Sequence, residues 1–139
     1  MTPHALAALH AKAFSATRAW SAQEFTDLLG HPGTFWRGDE YSFVLIRVVT
    51  DEAEVLTIAT DPAQRRKGLA RAALQAGENA ARAAGAATMF LEVAEDNAAA
   101  QALYYAENYR QVGRRPGYYL SKNAAPIAAL VLRKDINTA

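Results

Sequence analysis

The sequence predicts an α+β domain, and three observations predict it. Two stretches of helical periodicity precede three consecutive β-rich runs. An apolar run then leads through a turn of Arg, Lys and Gly into a long Ala-rich helix, and a second strand–helix pair is followed by two more strand candidates. The order is ααβββαβαββ, and 139 residues are one domain's worth of chain, so residues 1–139 are read as a single domain.

Each element has a local cause. Leu6, Leu9, Ala13 and Phe14 recur at helical spacing across residues 3–14. Ser21-Ala22-Gln23-Glu24 is a capping box, with Trp20 and Phe25 placed to bracket it as a hydrophobic staple, and Pro32-Gly33 closes the second helix. Thr34–Trp36 is a short strand and Arg37–Glu40 a turn. Tyr41–Val49 is rich in β-branched and aromatic residues, and Asp51-Glu52 breaks it before Glu54–Thr60. The helix over 66–84 places Leu69, Ala73, Ala76, Ala80 and Ala83 on one face and ends on Gly85 as a left-handed cap. Thr88–Val93 is the next strand, Asp96 or Asn97 caps a helix running to about Glu107, and Tyr109–Gly113 and Ile127–Arg133 are the last two strands.

Composition narrows the function classes. The net charge of +1 gives no reason to expect nucleic acid or an anionic membrane as partner. The absence of cysteine excludes a disulfide framework, a thiolate metal site and a cysteine nucleophile. No apolar run reaches the ~18 residues of a membrane span, and Met-Thr-Pro-His has neither the basic nor the apolar region of a secretory signal. A cytoplasmic protein is expected. His4, His10 and His31 show no spacing to Asp or Glu that suggests a metal, and surface or capping roles are expected for them. Ser15, Ser21, Ser42 and Ser121 lack the setting of a serine hydrolase.

The chemistry concentrates in the turn Gln64-Arg65-Arg66-Lys67-Gly68-Leu69-Ala70, directly after a strand and at the start of a helix. Free backbone N–H groups of Arg66 to Arg71 and the helix dipole make an anion cradle, and Gly68 permits close backbone approach of a pyrophosphate. The spacing is neither a Walker loop nor a dinucleotide fingerprint. Arg65-x-x-Gly68-x-Ala70, with Leu91-Glu92-Val93…Asn97 and Ala102-Leu103-Tyr104, resembles the GNAT superfamily of N-acetyltransferases, and within it the RimI-like branch that acetylates protein N-termini.

That resemblance implies an acyl-CoA N-acyltransferase fold, a mixed, mostly antiparallel sheet flanked by helices. The family's first edge strand has no counterpart here, so either the start is truncated or the sheet lacks that strand. Acetyl-CoA is the implied acetyl donor, its pantetheine arm paired with backbone groups of Ile58, Ala59 and Thr60. Its pyrophosphate lies on Arg65, Arg66, Lys67, Gly68, Leu69, Ala70 and Arg71, and Asn97 touches the arm or simply caps its helix. No metal is implied. Glu92 corresponds to the general base and Tyr104 to the proton donor for the departing thiolate, in direct attack without an acyl-enzyme.

The residues themselves leave alternatives open. Met89, Leu91 and Val93 are apolar neighbours that would desolvate Glu92 and raise its pKa, yet strand alternation makes it a solvent-facing residue sharing a face with Phe90 and Ala94. Tyr104 reads equally as an aromatic on a buried helix face, and Tyr105 lies beside it. Glu92, Glu95 and Asp96 form an acidic cluster able to draw in a cationic amine or a basic peptide, or else a solvated turn and cap. Arg114–Tyr119 resembles a loop beside the family's acceptor site. Asn108-Tyr109 stands where the family has Gly-Phe, and an acidic residue usual near Ala128 is missing. The implied acceptor is a peptide or protein N-terminus, a ribosomal protein in this branch. A small-molecule amine is the alternative acceptor, and a non-catalytic acyl-CoA-binding module the alternative of another class.

Overall fold

A computed structural model describes residues 1–14, 19–120 and 126–137, with the backbone alone for 118–120. Its elements run α1 (Pro3–Ala13), α2 (Ala22–Leu29), β1 (Thr34–Gly38), β2 (Ser42–Val49), β3 (Glu52–Thr60), a 3-10 turn (Pro62–Gln64), α3 (Leu69–Ala83), β4 (Thr88–Ala94), α4 (Ala98–Ala106), β5 (Arg110–Leu120) and β6 (Pro126–Asp135). The strands form one sheet in the order β1-β2-β3-β4-β6-β5, antiparallel except where β3 meets β4. Among the described residues no strand precedes α1, and β1 is the sheet's edge.

Local signals act as expected at several boundaries. Ser21 and Glu24 complete the capping box, and the Trp20 and Phe25 rings meet at 5.7 Å across it. α3 ends in a Schellman motif: Gly85 sits at φ +100° and the Ala86 N–H donates to the Ala81 carbonyl. Asn108, at φ +71°, fills the same left-handed position after α4.

Three expectations change. α3 begins at Leu69, because Arg66 and Gly68 both have positive φ and keep the preceding turn out of the helix. Its buried stripe is Ala73, Leu74, Gly77, Glu78 and Ala81, one position round from the all-Ala face. Gly77 explains the rotation: a Cβ there would stand 2.8 Å from a Val44 methyl and would also strike Ile46, so the helix lies close on β2. Finally, β5 continues through Arg114–Tyr119, so this stretch is strand, paired with β6 from Arg110 to Arg115 and again at Tyr119 and Leu120, with register irregularities after Gln111 and after Arg115.

The sheet separates two apolar layers. Under α3 and α4 lie Val44, Ile46, Ala53, Val55, Leu74, Met89, Leu91, Val93, Tyr104, Leu130 and Leu132. Under α1 and α2 lie Leu6, Leu9, Phe25, Phe43, Leu45 and Ala59. β3 serves both layers because of a bulge. Leu45 pairs with Thr57 and Ile46 with Val55, which leaves Leu56 as an extra residue. Ala53 and Val55 therefore belong to the α3 side, and Ala59 to the α1 side.

The same bulge sits where β3 leaves β4. The two strands pair only at Glu52–Thr88, Ala53–Met89 and Glu54–Phe90, then part. From Val55 onward β3 has a partner on one edge only, and a wedge opens between it and Leu91–Ala94 of β4. Gly77→Ala is expected to destabilise the protein by about 1–3 kcal/mol, through overpacking that outweighs the helix-propensity gain, as read from the midpoint of urea unfolding.

Candidate functional site

The turn before α3 has the construction of an anion cradle. Gly68 is the helix N-cap, with φ +75° and no side-chain cap, so the N–H groups of Gly68, Leu69, Ala70 and Arg71 have no acceptor within the described residues. A Cβ on Gly68 would meet nothing within 4 Å. Glycine is required there for its left-handed backbone, and the space over it is open to a ligand. Arg65, Arg66 and Lys67 are exposed around it, and among the described residues no carboxylate pairs with any of the three. Lys67 donates to the Gln64 side chain at 2.7 Å. Leu69 and Ala70 are half-buried.

Arg71 is tied differently. Its Nε lies 3.0 Å from Glu107, whose other oxygen accepts from Gln75 at 2.7 Å. A buried carboxylate at the end of α4 thus docks that helix onto the first turns of α3.

Ile58, Ala59 and Thr60 lie on the free edge of β3, beside the cradle and facing the wedge. Alternate N–H and C=O groups on such an edge can pair with an extended chain. Asn97 caps α4, its side-chain oxygen accepting from the Ala100 N–H at 3.1 Å, which leaves the amide NH2 available.

Glu92 and Tyr104 lie on opposite faces of the sheet. Met89, Leu91 and Val93 point into the α3 layer, whereas Glu92 shares its half-exposed face with Phe90 and Ala94. Its apolar sequence neighbours therefore do not surround it, and the expected desolvation gives way to an ion pair. Arg115 reaches over from β5 to 3.3 Å, and the Glu92 side chain keeps 20% of its exposure. Tyr104 is buried in the α3 layer, 5% exposed, edge-to-face with Tyr109 at 6.0 Å. The two residues flank the stretch of β4 from which β3 has parted, Glu92 on one face and Tyr104 on the other.

The charged neighbourhood also differs from expectation. Arg114 pairs with Glu95 at 2.7 Å, as Arg115 does with Glu92, so the basic segment and the acidic cluster neutralise each other. Ala128 lies buried within β6. A different acidic set, missed in the sequence, lines a half-open cavity of about 590 Å³: Glu24, Asp27, Glu54 and Glu92, with Trp20, Leu28 and Leu56 as apolar walls. The periodicity Glu24-x-x-Asp27-Leu28 was the available signal for one wall; the convergence of α2, β3 and β4 was not visible in one dimension.

His10 takes the capping one of the two expected roles, and from a buried position, while His4 and His31 are exposed as expected. His10 is 3% exposed, stacked on Phe14 and Trp20, with Nδ1 accepting from the Trp20 N–H and Nε2 3.2 Å from the Thr57 hydroxyl. It acts as a cap for the segment leading into α2. Ser21 is an N-cap and Ser42 bonds Thr60, neither beside a histidine. Ser15 and Ser121 and the side chains of Tyr118 and Tyr119 lie outside the described residues. Among those described, no His, Asp and Glu cluster could hold a metal, and no helix is long and apolar enough to cross a membrane.

Three comparisons bear on this arrangement. Residues 6–107 match the sequence model of the acetyltransferase (GNAT) family. The chain is 34% identical over 117 residues to the ribosomal protein bS18-alanine N-acetyltransferase of Escherichia coli, covering 81% of this chain and 79% of that one. It is 31% identical over 138 residues to the N-alpha-acetyltransferase RimI of Mycobacterium tuberculosis, covering 93% and 84%. The crystal structure of the Escherichia coli ribosomal-protein-S18-alanine N-acetyltransferase superposes with a TM-score of 0.88 at 29% identity, over 99% of this chain and 89% of that one.

Beneath Tyr104, the Tyr109 hydroxyl donates to Glu78 at 2.8 Å. Burial, then the Glu78 charge, pushes the Tyr109 phenol far above its ordinary range. An unfolded tyrosine ionises near pH ~10 whereas the folded one does not, so folding stability is unaffected below that pH and falls as pH rises above it, by about 1.4 kcal/mol per unit. Tyr109→Phe is expected to remove this contribution, seen as a shallower alkaline fall in melting temperature than that of the wild type between pH 9.5 and 11.

Proposed function

Since the chain belongs to the acetyltransferase (GNAT) family, we propose that it transfers the acetyl group of acetyl-CoA to the N-terminal α-amine of a protein, and that a ribosomal protein is the class of acceptor. The observation that carries this reading is the wedge. It joins an anion cradle, a free strand edge, a carboxylate on one face and a buried phenol on the other. The relatives' activity on the alanine of a ribosomal protein supports the choice of amine.

The residues fit acetyl-CoA. The uncapped N–H groups of Gly68–Arg71 and the cations of Arg65, Arg66 and Lys67 suit a pyrophosphate. The β3 edge at Ile58, Ala59 and Thr60 suits an extended pantetheine arm, with the Asn97 amide beside it. When bound, acetyl-CoA supplies the acetyl group as an activated thioester.

In this mechanism Glu92 takes a proton from the acceptor ammonium, directly or through one water. The free amine forms the new C–N bond as the C–S bond breaks, and Tyr104 gives its hydroxyl proton to the departing thiolate. The second proton, shed by the new amide nitrogen, returns through water to the Tyr104 oxygen. An α-amine, with a reference pKa of ~8, yields that proton far more readily than a lysine at ~10.4. One carboxylate is therefore adequate. Arg115 holds Glu92 in place at the wedge. Glu24, Asp27 and Glu54 surround the approach with negative charge, which favours an acceptor peptide with basic residues after its first.

Glu92→Gln and Tyr104→Phe are each expected to lower kcat about 100-fold, in the range of general acid–base catalysis, with acetyl-CoA affinity unchanged by calorimetry. Intact-mass detection with two basic peptides tests the acceptor. One has a free N-terminal Ala and no Lys; the other is N-terminally blocked with a single Lys. Acetylation of the first alone is expected, and acetylation of neither would turn the reading to a small-molecule amine or to a binding module without catalysis.

A further inference from the structure

We propose that Tyr109 is a positioning residue for Tyr104, its hydroxyl anchored by Glu78 and, through Glu78, by Lys134. This rests on the assignment of Tyr104 as proton donor. Tyr104 lies in the last turn of α4, where backbone carbonyls lose their helical partners and the chain tends to fray. Here that turn is closed by the left-handed Asn108, which lets the Tyr109 N–H donate to the Tyr104 carbonyl at 3.0 Å. The same geometry brings the Tyr109 ring edge-to-face against the Tyr104 ring at 6.0 Å and 64°.

The far end of Tyr109 is also held. Its hydroxyl donates to Glu78 Oε2 at 2.8 Å, and Glu78 Oε1 accepts from Lys134 Nζ at 2.9 Å, with the Glu78 side chain only 5% exposed. Glu78 stands on α3 and Lys134 on β6, so two elements that do not carry Tyr104 fix the ring against which it packs. Burial and the Glu78 charge hold the phenol in its protonated, donating form well above neutral pH. A phenylalanine, the residue the family resemblance places here, would preserve the ring contact and lose the anchor. The hydroxyl supplies that anchor, and its consequence falls on the orientation of Tyr104 toward the departing sulfur.

A double-mutant cycle on the full chain tests this, using acetyl-CoA at saturation and a peptide with a free N-terminal Ala. Tyr109→Phe is expected to lower kcat about tenfold, as small misplacements of a proton donor do, with KM for acetyl-CoA within about twofold of the wild type. In a Tyr104→Phe background the same substitution should leave kcat unchanged, because the residue it positions has no hydroxyl. Unchanged kcat for Tyr109→Phe, or equal losses in both backgrounds, overturns the proposal while a slow Tyr104→Phe keeps the donor assignment. Wild-type kcat for Tyr104→Phe overturns the donor assignment and the positioning role together. A readout without turnover accompanies the cycle: in ring-labelled tyrosine NMR spectra of the unliganded protein, Tyr109→Phe should shift and broaden the Tyr104 ring signal. An unmoved signal counts against the proposal.

Discussion

The parting of β3 from β4 after three residue pairs is the constraint on which the rest of the molecule depends. A parallel pair that stayed zipped would continue the ladder past Glu54 and cover the β3 edge at Ile58, Ala59 and Thr60. The Leu56 bulge ends the contact by bending and twisting β3 just beyond Glu54. It also changes which layer each β3 side chain enters, so one strand helps close both apolar layers. An unpaired edge is usually a liability in a sheet. Here it lies next to the basic turn, where its N–H and C=O groups are open to an extended chain.

The cleft has a rigid floor because α4 is pinned to α3 at two levels. Glu107 joins the end of α4 to Arg71 and Gln75, and Glu78 joins Tyr109 and Lys134 one turn further along α3. Both carboxylates are buried, and each accepts two charged or polar donors, which is the condition under which buried charge is tolerated. The cradle and the candidate proton donor are thus parts of one hydrogen-bonded body, although 33 residues separate Arg71 from Tyr104 in sequence.

Charge is segregated across the molecule: among the described residues Arg65, Arg66 and Lys67 meet no carboxylate beside the free N–H groups of Gly68–Arg71, whereas the carboxylates of Glu24, Asp27, Glu54 and Glu92 line the cavity beneath α2. His10, Trp20 and Phe25 brace the wall of that cavity through stacked rings and a bond to the Trp20 backbone.

By itself the sequence determined what depends on neighbours a few residues away. The capping box at Ser21, the left-handed caps at Gly85 and Asn108, the Asn97 cap and the strand–basic turn–helix unit were legible because propensity and periodicity are local. The motif spacing that carries the resemblance to the GNAT superfamily was legible for the same reason, and the family and fold it implied agree with the comparisons. Tertiary structure alone decided what depends on pairing across the chain. The ion pair of Arg115 with Glu92, the extension of β5 through Arg114 and Arg115, the burial of His10 and Glu78, and the acidic cavity all arise from contacts between distant segments. A bulge shows why: one extra residue at Leu56 reverses the side-chain alternation that sequence reading assumes. It shows only in the pairing of β3 with β2, where Leu45 meets Thr57 and Ile46 meets Val55.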